Sequence, residues 1–115
     1  MKMLLSAILV VSLLTGPVEA ATKGPAKVAT IIGLGASTSC ETWTTARRDQ
    51  KASALEQWML GYLSGMGKVL ELKRIDPLRG VDPNGVWTWI DNYCKANPLD
   101  LTVNAGTRFL ATSPH

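Results

Sequence analysis

Between Ala52 and Lys73 the apolar residues Leu55, Trp58, Met59, Tyr62, Leu63, Met66, Val69 and Leu70 recur at three- and four-residue intervals. That is the period of an α-helix, and it places all eight on one arc of about 140°. The pattern therefore predicts a helix with one core-facing side. Gly61 and Gly65 lie beside that arc, together with Ala54, in a G-x-x-x-G spacing. Each glycine costs about 1 kcal/mol inside a helix relative to alanine, so the pair asks for a reason. Close approach of another helix of the domain is the expected one, with a partner chain as the alternative. A membrane-dimer motif does not fit, because the charged Lys68 and Glu71 follow at once.

Asp76-Pro77 ends this helix, since a residue before proline is pushed out of helical geometry. Asp82-Pro83 starts the next, with Asp as N-cap and Pro at the first helical position. Along Val86 to Ala96 the residues Val86, Ile90, Tyr93 and Cys94 share a face. Trp87 and Trp89 flank it about 160° apart. Asn97-Pro98 stops that helix. Asp100 is placed to cap a last one carrying Leu101, Ala105, Phe109 and Leu110. Upstream, Thr38-Ser39-Cys40-Glu41 suits a capping box for a first helix, with Thr38 as its cap. Trp43, one turn beyond Cys40, should pack beside that cysteine. Residues 44–51 are polar and read as a solvated turn or helix face. The expected fold is all-α: a small bundle of three to four helices over residues 38–112. Residues 21–37, with Gly24-Pro25, Gly33 and Gly35, form a flexible or extended leader. No internal repeat is present.

The N-terminus has another character. One charge at Lys2 precedes an apolar run from Met3 to Leu14, broken only by Ser6 and Ser12. At about a dozen residues it is too short for a membrane span, which needs roughly 20. Gly16-Pro17 and the small residues of Val18-Glu19-Ala20 complete a cleavable secretory signal over residues 1–20. The competing reading is an N-terminal core helix. Cleavage after Ala20 leaves 95 of the 115 residues, enough for one domain. An exported, periplasmic protein with no membrane attachment after cleavage is the expectation.

Export changes how the two cysteines read. Cys40 and Cys94 form an even pair in an oxidising compartment, which predicts a disulfide. Closing a loop of about 55 residues is worth roughly 4 kcal/mol on the chain-entropy estimate. Two cysteines without a histidine neighbour cannot complete a metal site, and the single His is His115, the last residue. Without Lys2 and Glu19 the chain keeps 11 basic and 8 acidic residues, net +3. No Lys/Arg run exceeds two residues, so no nucleic-acid footprint is expected.

Catalytic chemistry finds little to work with. A nucleophile needs an oriented base, and no internal His supplies one. Asp76, Asp82, Asp91 and Asp100 each read as helix caps or solvated charges rather than a paired acid and base. The expectation is a non-enzyme with no cofactor. Four tryptophans, at positions 43, 58, 87 and 89, are many for a small domain. Tryptophan and tyrosine concentrate at protein contacts. Trp58, Gly61, Tyr62, Gly65, Trp87 and Trp89 are therefore the candidate partner-contact or packing residues.

The chain resembles the HdeA/HdeB group of small periplasmic acid-stress chaperones. The likeness lies in the cysteine of TSCETW (38–43), the aromatic-glycine helix WMLGYLSGMG (58–67) and the second cysteine of WIDNYCKANPLD (89–100). It implies a homodimer, folded and idle near neutrality, that loosens in acid and binds unfolding client proteins. Protonating the eight carboxylates and His115 takes the exported chain from +3 to about +12, which works against a marginal fold. The acidic residues are, however, dispersed, with no cluster to act as a trigger. Gly61-Tyr62-x-x-Gly65 is also similar to the Tai-type immunity proteins. That likeness implies a periplasmic inhibitor of one cell-wall-degrading effector enzyme.

Overall fold

A computed structural model describes residues 28–112; the predicted signal over 1–20, residues 21–27 and the tail 113–115 lie outside the described residues. From Ile31 onward the chain is one compact unit. It holds four α-helices and no strand among the described residues: α1 (Cys40–Arg48), α2 (Ser53–Glu71), α3 (Pro83–Ala96) and α4 (Thr102–Thr112). A short 3-10 turn at Leu34–Ala36 precedes them.

The helix ends show how local chemistry sets the boundaries. Ser39, rather than Thr38, caps α1: its Oγ accepts a hydrogen bond from the Thr42 amide at 3.0 Å. Thr38 is extracted from the cap because its own hydroxyl donates to the Leu34 carbonyl at 2.6 Å. The α3 start follows the expected pattern, with Asp82 Oδ1 accepting from the Gly85 amide at 2.8 Å and Pro83 opening the helix. Helices α1 and α2 both finish in a six-to-one backbone bond, Lys51 N to Ala46 O at 2.8 Å and Ile75 N to Leu70 O at 3.1 Å. That closure needs one left-handed residue, and the chain places Gln50 (φ 58°) and Arg74 (φ 61°) there, where glycine is usual.

The core draws on all four helices. Cys40, Trp43, Met59, Ile90, Cys94 and Ala105 are wholly buried, with Leu63, Val86, Phe109 and Leu110 around them. Helix α1 packs on α3, α3 on α4, and α2 on α4 and on the 3-10 turn. The Cys40–Cys94 disulfide joins α1 to α3 inside this core. In α4 the buried face includes Thr102 and Val103, while Leu101 is exposed. Thr102 is drawn inward because its hydroxyl is a donor shared between the carbonyls of Gly35 (3.0 Å) and Thr38 (3.2 Å).

Those bonds fold residues 33–38 as a strap against the helices. Thr102 N donates to Thr38 O at 2.9 Å, and Ser39 and Leu101 form an antiparallel bridge. Gly33 and Gly35 sit directly on the Trp58 indole; a Cβ there would lie 2.1 and 2.2 Å from ring atoms. Only glycine permits that approach, and Gly33 also needs its positive φ of 113°.

Candidate functional site

The six residues singled out as contact candidates divide into two groups. Trp87 is buried, tilted against Trp43 with ring centroids 5.8 Å apart. Trp89 is half-buried, stacked on Tyr93 at 5.6 Å and edge-on to Phe109 at 5.6 Å. Trp58 stacks on Tyr62 at 5.5 Å and donates from Nε1 to the Ile32 carbonyl at 3.3 Å. The Tyr62 hydroxyl pairs with Thr107 Oγ1 at 2.7 Å. The aromatic candidates are thus used within the domain: two in the α1–α3 and α3–α4 contacts, two in seating the strap and α4 on α2.

Gly61 and Gly65 behave differently. Both are exposed, and a Cβ added at either would meet nothing within 4 Å. The expectation that they admit a neighbouring helix of this domain is wrong. The close helix approach occurs at Gly106 instead, where a Cβ would lie 2.7 Å from Met59 Sδ and 3.4 Å from the Tyr62 ring. On the α2 surface, Ala54, Gly61, Gly65, Val69 and Leu72 follow one another at three-, four- and seven-residue steps, so they share a side of the helix. Val69 is 56% exposed and Leu72 84%. None of the five is charged. Within this uncharged line, Gly61 and Gly65 are the members of the candidate set that remain uncovered.

A second feature was not legible from residue spacing. Arg47, assigned above to a solvated polar stretch, reaches two other helices. Its Nη1 donates to Glu56 Oε2 of α2 at 2.6 Å. Its Nη2 donates to Asp91 Oδ2 of α3 at 2.9 Å, and its Nε to Asp91 Oδ1 at 3.1 Å. The guanidinium carbon lies 5.9 Å from the centre of the Trp87 ring, a cation–π contact. Asp91 is therefore more than a solvated charge; it also accepts from Nε1 of fully buried Trp43 at 2.8 Å. Hydrogen bonding to Asp91, and after it to Glu56, holds the Arg47 pKa above its ordinary value, against the opposing effect of burial. This bracket ties α1, α2 and α3 together through two carboxylates. The one signal in the sequence was a charged residue, Asp91, set among the aromatic residues Trp87, Trp89 and Tyr93.

A third cluster fixes the α3–α4 corner. The Tyr93 hydroxyl donates a short hydrogen bond to Asp100 Oδ2. Asp100 Oδ1 accepts from Asn104 Nδ2 at 2.7 Å and from the Leu101 amide at 2.8 Å. Asp100 thus holds the start of α4 from one residue before the cap position. The Asn104 side chain, then Tyr93 and the Leu101 amide, hold its carboxyl below the ordinary aspartate pKa. Tyr93 is pushed up in turn, chiefly by its bond to the Asp100 carboxylate.

Among the described residues no group of three His, Cys, Asp or Glu side chains could hold a metal ion. No described helix is long and apolar enough to cross a membrane. Comparison with protein-family models, with curated proteins and with solved structures finds no match.

Proposed function

We propose that this chain is an exported, non-enzymatic protein-binding domain that acts in the periplasm as an acid-stress chaperone of the HdeA/HdeB type. The observation that carries this reading is the Arg47 bracket. Glu56 is the charged group through which α2 is tied to α1, and Asp91 ties α1 to α3. Both ion pairs depend on carboxylate charge, and Arg48 and Lys95 line the same surface as Arg47, so the bracket sits in a basic neighbourhood. Asp100 adds to this, since its depressed pKa contributes stability that is lost as pH falls. The Cys40–Cys94 disulfide does not titrate, so α1 stays on α3 while α2 loosens. What α2 then releases is its buried row Leu55, Met59 and Leu63, an apolar surface suited to unfolding clients. Homodimerisation at neutral pH belongs to the same reading, with the resemblance as its support.

The test mixes the oxidised exported form, lacking residues 1–20, with an unrelated acid-labile enzyme and follows light scattering. At about pH 2 to 3, where carboxylates are protonated, aggregation should be suppressed, and near neutrality it should not. No protection in acid sinks the reading.

A second reading has its own observation. The uncharged line through Gly61, Gly65, Val69 and Leu72 is accessible without any opening, which suits an inhibitor of one cell-wall-degrading effector at neutral pH. Tight binding near neutrality to the enzyme encoded beside its gene, abolished by Gly61→Lys, is the result expected of that alternative.

A further inference from the structure

The last turns of α2 and the loop that follows enclose a cleft of about 490 Å³ that neither functional reading uses. Its size is in the range of small-molecule sites, about 300–1,000 Å³. Ile75 and Leu78 supply apolar lining. Lys68, Arg74 and Arg79 supply three cations, and Glu71 and Asp76 two carboxylates. The carboxylates are already answered: Lys68 Nζ pairs with Glu71 at 2.9 Å and Arg79 Nε with Asp76 at 3.6 Å. Arg74 has no ion pair and no side-chain hydrogen bond among the described residues.

Arg74, like Gln50, also holds a backbone conformation ill suited to its side chain. Its φ of 61° closes α2 in the left-handed region, which disfavours every residue with a Cβ. Glycine would relieve that strain. Strained positions of this kind gather where a side chain is needed for binding. A cation kept at a strain cost, unpaired, on the wall of a half-apolar cleft is a receptor for a negative charge.

We infer that this cleft binds a small anionic amphiphile, its carboxylate or phosphate head on the Arg74 guanidinium and its apolar portion against Ile75 and Leu78. The strain gives the test two readouts of opposite sign. Octanoate is titrated into the purified oxidised protein while backbone amide NMR shifts are followed. Acetate, octanol and octyl phosphate serve as comparison probes. Octanoate and octyl phosphate should both shift residues 64–79 saturably, and their relative strength identifies the preferred head group. Acetate should bind more weakly for lack of a tail, and octanol for lack of a charge. Arg74→Gly should raise Tm by a few degrees and weaken octanoate binding about tenfold or more. Arg74→Gln, which keeps the backbone strain, should weaken binding as much without raising Tm. No saturable shift, an equal response to octanol, or wild-type octanoate binding by Arg74→Gly overturns the assignment.

Discussion

Replacing Asp91 separates two interactions that meet on one carboxylate. Asp91→Asn removes the charge that pairs with Arg47 but keeps an amide oxygen where Trp43 Nε1 can donate. Asp91→Ala removes both. The ion pair is partly solvated, with Arg47 28% and Asp91 30% exposed at their side chains, so its loss alone costs about 0.5–1 kcal/mol. Trp43 is fully buried, and stranding its indole N–H adds about 1–3 kcal/mol. The alanine variant should therefore lose about 1.5–4 kcal/mol in total, a large share of the roughly 5–15 kcal/mol typical of a folded domain. Equilibrium urea unfolding followed by tryptophan fluorescence reads both values. Midpoints should fall in the order wild type, Asp91→Asn, Asp91→Ala, with the larger gap between the two variants. Equal losses would refute the argument that the buried Trp43 donor depends on Asp91. A wild-type midpoint for Asp91→Ala would refute the whole bracket.

Four further outcomes follow from the same reasoning. Gln50→Gly, at the left-handed residue closing α1, should gain about 0.5–1 kcal/mol in thermal unfolding by relieving φ 58°. Gly35→Ala should lose about 1–3 kcal/mol, because its Cβ would lie 2.2 Å from the rigid Trp58 ring. Gly61→Ala should instead gain about 1 kcal/mol in the isolated chain, because nothing lies within 4 Å and alanine is the better helix former; a loss there means the α2 face is covered. The lowered Asp100 pKa means its bonds stabilise the fold above the ordinary aspartate value and stop doing so as pH falls through the folded one. Asp100→Asn should accordingly flatten the fall of Tm with acid across that window, and an unchanged slope counts against the Tyr93–Asp100–Asn104 cluster.

Features that depend on neighbours a few residues apart could be read directly from the order of residues. The apolar period from Leu55 to Leu70 specifies α2, and Asp82-Pro83 specifies where α3 begins, because caps and helical faces are energies of a single turn. The pairing of Cys40 with Cys94 was legible too, since two cysteines allow only one intramolecular bond. Even at that range a competing partner shifts the result: Ser39 displaces Thr38 as the α1 cap once Leu34 captures the Thr38 hydroxyl. Tertiary structure alone decided which glycines are crowded. Gly61 and Gly65 carry the recognisable spacing yet face open space, while Gly33, Gly35 and Gly106, with no such spacing, lie against Trp58 and Met59. It also decided that Arg47 is a fastener rather than a solvated charge. Its partners stand nine and 44 residues away, and their meeting depends on how α2 and α3 pack against α1. A periodic pattern says which side of a helix is buried; only the packed chain says what stands opposite each residue.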